Sequence, residues 1–156
     1  MREINFRGKR TDNGEWVEGY ITRRPSAIQY GAHYSPWFID VPPRNPDDSG
    51  GLYNVDGSTV GQFTGLEDCN GARIFEGDIV KTHYANAANT DFVELVVFNG
   101  GKYCAMAQLQ GGGRMYAPLA DGVPHVFRDR SVYMDRVEVI GNVHDNPELL
   151  EREAAE

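Results

Sequence analysis

The chain has 156 residues, with 15 Lys and Arg against 23 Asp and Glu, a net charge of −8. Hydrophobic residues make up 40%, which excludes a wholly disordered chain, and no stretch approaches the roughly 20 apolar residues of a membrane-spanning helix. The length suits one domain or two small ones, with a core of its own.

Gly and Pro set the secondary structure. From residue 1 to residue 77 no stretch free of both is longer than seven residues, whereas a typical helix runs about 11. Val and Ile number 21 against 11 Leu and Met, and β-branched enrichment favours strands. The first element is a hairpin, "REINFRGKR" and "EWVEGYITRR" around "TDNG". Asn13-Gly14 predicts a type I′ turn there. Residues 40–59, with Pro42, Pro43, Pro46 and several Gly, read as a long surface loop and hinge. The expected division is therefore an amino-terminal hairpin unit with its loop, residues 1–58, and a β body over 59–156.

Within that body, Asn70-Gly71 signals a turn and "DIVKTHY" alternates as a strand. "DFVELVVFNGGKYCAMAQL" reads as a second hairpin around Asn99-Gly100-Gly101, its first arm apolar enough to be central. "VYMD" fits a strand or a helical turn. "RVEVIGNV" is a strand in which Gly141 suggests a bulge. Asn146 and Pro147 fit the start of one short carboxy-terminal helix, docked by Leu149 and Leu150.

The chain opens Met1-Arg2-Glu3 with no apolar secretory segment, which predicts a cytoplasmic protein with Cys69 and Cys104 as free thiols. Cys104 sits in an apolar run and is expected in the core, Cys69 at the surface. No His-x-x-x-His or Cys-x-x-Cys occurs, so no metal or cofactor is indicated. Asp68, Asn70 and Gly71 have the composition of a calcium loop but not its spacing, and an Asx turn is the better reading. A thiol-imidazole pair would need Cys69 or Cys104 to meet His83 or His125. Asp78 with His83 offers a metal-assisted hydrolase, but their odd separation places them on opposite sides of a strand. Asp78 is more simply a turn cap.

Anion contacts are the remaining chemistry. The first hairpin carries Arg2, Arg7, Lys9 and Arg10, which could meet phosphates. Gly111-Gly112-Gly113-Arg114 could form an anion nest at Arg114. Residues 31–80 carry two bases and eight acids, a stretch that could mimic nucleic acid. Tyr30, Tyr34, Trp37, Phe38 and Tyr53 cluster near the loop without Lys and Arg interleaved, so burial against the hairpin is expected of them rather than base stacking.

Three segments together resemble one family. "REINFRGKR…NGEWVEGYI", "VGQFTGLEDCNGARIFEGDIV" and "VEVIGNVHDNPELL" are similar, in this order, to the YopX proteins of phages and prophages. Where members commonly carry lysines near the Asn-Gly turn, this chain has Cys69 and Ala72. The resemblance implies a mainly β fold with a small barrel-like, SH3-like portion, a phage or prophage origin and expression in a bacterial host cytoplasm. It implies no activity and supplies no catalytic residues. The shared residues look architectural, with Gly61, Gly65, Asn70, Gly71 and Gly77 in turns and Phe63, Ile79 and Val80 in the core. The leading expectation is a non-enzymatic accessory module that binds a host or phage macromolecule, as a homo-oligomer and away from membranes. The alternatives are nucleic-acid binding through the basic hairpin, an acidic mimic that inhibits a host DNA-binding protein, and the metal-assisted hydrolase.

Overall fold

The structure is a computed structural model, and it describes residues 3–23, 36–43, 45, 49–85, 90–108, 113–119, 124–127 and 130–153. The chain divides into two compact units, Met1–Phe63 and Thr64–Glu156. The fold is mainly β, in two antiparallel sheets, with one short helix.

The amino-terminal unit contains β1 (Phe6–Lys9), β2 (Trp16–Arg23), β3 (Trp37–Val41), β4 (Gly51–Val55) and the first residues of β5 (Gly61–Glu67). They lie in the order β4-β3-β2-β1-β5. Lys9 faces Trp16 across β1 and β2, Arg23 faces Trp37 across β2 and β3, and Trp37 faces Val55 across β3 and β4. The first hairpin does not use a two-residue type I′ turn. Arg10 N–H donates to Glu15 C=O at 2.9 Å and Gly14 N–H to Arg10 C=O at 3.0 Å, so the loop is four residues long, Thr11 to Gly14. Asn13 Oδ1 accepts from Glu15 N–H at 3.0 Å, and Gly14 takes the positive φ of 74° that releases the chain into β2.

The predicted loop over 40–59 holds β4 and a 3₁₀ turn, Gly57–Thr59, instead. Gly50, at φ 62°, turns the chain so that Gly51 pairs with Val41, and the next four residues complete the ladder with β3. The sheet curls until the end of β4 meets the end of β1. Arg10 and Val55 form a bridge, Thr11 N–H donates to Asn54 C=O at 3.0 Å, and Asp56 N–H donates to Lys9 C=O at 2.8 Å. Ile39 and Val55 are buried against Gly8 on the inside of this curl, and Phe63 is buried too. Gly8 packs tightly, since a methyl there would sit 3.2 Å from both Ile39 and Val55 and those side chains would have to shift.

The carboxy-terminal unit contains the rest of β5, then β6 (Arg73–Phe75), β7 (Asp78–Ala85), β8 (Thr90–Asn99), β9 (Lys102–Gln108), β10 (Arg114–Pro118), β11 (Pro124–Phe127), β12 (Arg130–Asn142) and α1 (Glu148–Glu153). Its main sheet runs β10-β9-β8-β7-β12-β11. Asn99 pairs with Lys102 around Gly100 and Gly101, both at positive φ as in a type I′ turn, so the expected second hairpin is present. "VYMD" is strand, inside β12, and the register slips between Val139 and Gly141 as a bulge. No pairing joins the two outer strands β10 and β11 among the described residues, so the closed SH3-like barrel is not found.

Val80, Val96, Ala105, Ala117, Leu119 and Val137 form the core of this unit. The "DFVEL" run also buries Glu94, whose carboxylate accepts from the Thr82 hydroxyl on β7. Ile79 on the opposite side of β7 is buried as well. Gly141 lies opposite Ile79, and a methyl on it would sit 3.0 Å from Leu149 of α1, so the short helix covers this end of the sheet. Asn146 turns its side-chain oxygen back to Asn142 N–H, at 3.4 Å. No helix among the described residues is long and apolar enough to cross a membrane.

Candidate functional site

A cleft of about 700 Å³ opens where the amino-terminal sheet curls onto itself. The volume lies within the range of small-ligand sites. Its walls come from three segments: Lys9 to Gly14 of the hairpin loop, Pro36 and Trp37 at the start of β3, and Val55 to Gly57 with Thr59 after β4. Each wall has a local cause. Lys9 N–H donates to Thr59 Oγ1 at 2.9 Å, which ties the strand to the 3₁₀ turn. Asp56 caps that turn by accepting from Ser58 N–H at 2.9 Å. Gly57 lets the Trp37 indole lie against the backbone, where a methyl would come within 2.3 Å of the ring.

The cleft lining carries two cations, Lys9 and Arg10, and two carboxylates, Asp12 and Asp56, and the cations of the unit lie on aromatic rings. Each described Lys or Arg of this unit has such a ring. Arg7 lies 4.8 Å and Lys9 5.6 Å from the Trp16 centroid, Arg10 4.4 Å from Tyr53, and Arg23 4.8 Å from Trp37. Contacts of this kind are attractive through the ring quadrupole. Arg10 is further held by a fork to Asp12, Nε to Oδ1 at 2.9 Å and the terminal nitrogen to Oδ2 at 2.6 Å, with Glu15 at 3.5 Å. The Asp12 hydrogen bond raises the Arg10 pKa, and the same bond lowers that of Asp12.

The structure therefore brings Lys9 and Arg10 together in the cleft and places Arg7 two residues back along the same strand. Arg2 lies outside the described residues. Arg114 opens β10 in the carboxy-terminal unit, exposed and opposite Gln108, and is no part of the cleft. Gly111 and Gly112 of the expected anion nest are also outside the described residues. The interleaving of aromatics with cations that is missing along the chain is present across it. Arg23 and Trp37 are joined by strand register, and Arg10 and Tyr53 by the curl. Tyr30 and Tyr34 lie outside the described residues.

The other candidates take structural roles. Asp78 is buried, and its Oδ2 accepts from Phe75 N–H at 2.7 Å, capping the turn between β6 and β7. His83 places Nδ1 2.6 Å from Asp91 on β8, and Lys81 places Nζ 2.6 Å from the same carboxylate. The Lys81 and His83 bonds hold the Asp91 pKa down at about 2. No three His, Cys, Asp or Glu converge to hold a metal among the described residues. Cys104 is buried and Cys69 exposed, both as free thiols, and burial raises the Cys104 pKa, away from nucleophilic use. Asp68 makes the expected Asx turn: Oδ1 accepts from Asn70 and Ala72 N–H, both at 2.8 Å, and Oδ2 reaches across to Val139 N–H at 2.9 Å.

No curated protein matches the chain. Among solved structures, the crystal structure of protein EF1440 from Enterococcus faecalis is similar to it at a TM-score of 0.48 and 23% identity, over 96% of this chain and 99% of that one. The model of the YopX protein family matches residues 5–151, nearly the whole chain, and the chain belongs to that family.

Proposed function

We propose that this YopX protein is a non-enzymatic binding module that engages a macromolecule through the cleft of its amino-terminal unit, as a phage or prophage accessory protein in the host cytoplasm. The observation that carries the reading is the cleft itself, walled by a hairpin loop and a half-buried tryptophan. Binding residues concentrate on loops held by a rigid scaffold, and the loop here is anchored by backbone bonds at both of its ends. The acid and histidine weighed for chemistry, Asp78 and His83, are engaged in a turn cap and in a cross-strand contact with Asp91.

The test is retention of a partner from host lysate by the purified protein, compared with a Thr11→Trp variant that fills the cleft without touching the core. Light scattering of the same sample reads the oligomeric state expected of the module. The reading expects a partner that is retained by the wild type and lost with Thr11→Trp. Equal retention by both proteins overturns the cleft as the binding face.

A further inference from the structure

We infer that the outer edge of β4 takes an extended peptide as an added strand, with an Arg or Lys of that peptide set opposite Leu52. Leu52 is no part of the cleft lining, so this is a second surface. Exposed sheet edges offer unpaired N–H and C=O groups to other chains, and proteins blunt them with charge, proline or shortness. The outer strands of the two sheets are β4, β6, β10 and β11. β6 has three residues and carries Arg73, β10 carries Arg114 and Pro118, and β11 opens on Pro124. β4 reads Gly-Leu-Tyr-Asn-Val, five residues with neither charge nor proline.

Backbone groups of successive strand residues point to alternate sides of the strand. Asn54 C=O accepts from Thr11 N–H, on the side away from β3, so Leu52, two residues back, turns its own N–H and C=O out of the sheet. The hairpin loop closes the Asn54 end and leaves Leu52 as the open position. A residue set opposite Leu52 in an added antiparallel strand exchanges both N–H···O bonds with it. Added strands take their affinity from such bonds and their specificity from alternate side chains. On the face that carries the Leu52 side chain, Leu52, Asp40 and Tyr20 stand side by side across β4, β3 and β2. All three are exposed, Tyr20 at 61% and Leu52 at 38%. The Asp40 carboxylate has no hydrogen-bond or ion-pair partner among the described residues. The charged side chains on this face of β2, β3 and β4 are Glu18 and Asp40, both acidic, and Glu18 already faces Arg7 of β1. A long cationic side chain lying over Leu52 sets its aliphatic stem on that apolar surface and its charge beside Asp40.

Amide NMR titration of the full-length protein with a capped peptide, acetyl-Thr-Val-Arg-Val-Thr-amide, tests the proposal. Shifts centred on Leu52 are expected, with its N–H newly protected from hydrogen exchange. Methylating the backbone nitrogen of the peptide's Arg keeps the side chain and removes the donor to Leu52 C=O, and should weaken binding roughly three- to tenfold, as loss of one hydrogen bond does. Asp40→Asn should weaken it about two- to fivefold, as loss of an exposed ion pair does. Asp40→Arg should reverse the preference, so that the same peptide with Glu at its centre binds better than the Arg peptide. Leu52→Pro removes the other donor at an outward-facing edge position, where proline is tolerated, and should abolish binding. If that variant fails to fold, the methylated peptide decides the same point on the wild type. Absent binding, equal affinity for the methylated peptide, or an unchanged preference in Asp40→Arg overturns the inference. A dimer in light scattering that Leu52→Pro dissolves, with no peptide bound by the wild type, overturns it too and assigns the edge to a second copy of the chain.

Discussion

Asp68 holds three backbone N–H groups with one carboxylate, two in its own turn and one on β12. Burial alone would raise its pKa; the Val139, Ala72 and Asn70 donors outweigh that and lower it. Hydrogen bonds to a charged group are the stronger kind, so Asp68→Ala should cost about 2–4 kcal/mol in urea unfolding. The turn was legible in the sequence, because Asp-x-Asn-Gly is local chemistry. The bond to Val139 was not, because it joins residues 71 apart. Glycines show the same contrast. Gly71 and Gly77 were readable as turn formers and take positive φ. Gly8 and Gly19 look like strand defects until their neighbours are known. A methyl on Gly8 would crowd side chains at 3.2 Å, whereas one on Gly19 would sit 2.1 Å from the Asp40 carbonyl oxygen. Side chains can shift where a paired strand cannot. Gly8→Ala is therefore expected to cost about 1–3 kcal/mol, and Gly19→Ala more, both read as lowered thermal midpoints.

The elements separate in the same way. The Asn99–Lys102 hairpin was readable as a unit because two glycines suit a two-residue turn. Gly101 has φ 83° with open space around it, so the cost of a side chain there is conformational. Gly101→Val should lower stability by about 1–2 kcal/mol, the penalty of a left-handed residue, with no change in the core by near-ultraviolet circular dichroism. Strand β4 was missed because prolines and glycines surround it, and its pairing partner β3 was not identifiable as such from local signals. Most of the candidate site was hidden for that reason. Lys9 and Arg10 were visible as a basic hairpin, but the cleft exists only once the end of β4 reaches Arg10. Its aromatic wall depends on the register that sets Arg23 against Trp37.

At the scale of the whole molecule, charge is unequal between the units. Residues 1–63 carry seven bases and eight acids, and residues 64–156 carry eight bases and fifteen acids. Acidic residues also set the response to pH. Asp68 and Asp91 both have pKa values lowered in the folded protein, Asp91 to about 2. A group with a depressed folded pKa contributes stability that is present above its unfolded value, about 3.9, and is lost as pH falls toward the folded value. Stability should therefore decline from about pH 4 toward pH 2. In an Asp68→Asn, Asp91→Asn double variant, less stable at neutral pH, that decline should be shallower; denaturant midpoints measured across this range check it. Equal slopes for the two proteins would assign the acid sensitivity to other carboxylates.

The division between the units falls between Phe63 and Thr64, inside strand β5. Gly61 and Gln62 pair with β1, while Thr64 donates its hydroxyl to Ile74 of β6 at 2.9 Å. Exchange of either half with that of a relative thus has to join two chains in mid-strand. A junction one residue too long would reverse the facing of everything on one side of it, turning Phe63 or Thr64 out of its buried place. Hybrids assembled at this point should express as soluble protein only when the residue count of β5 is kept.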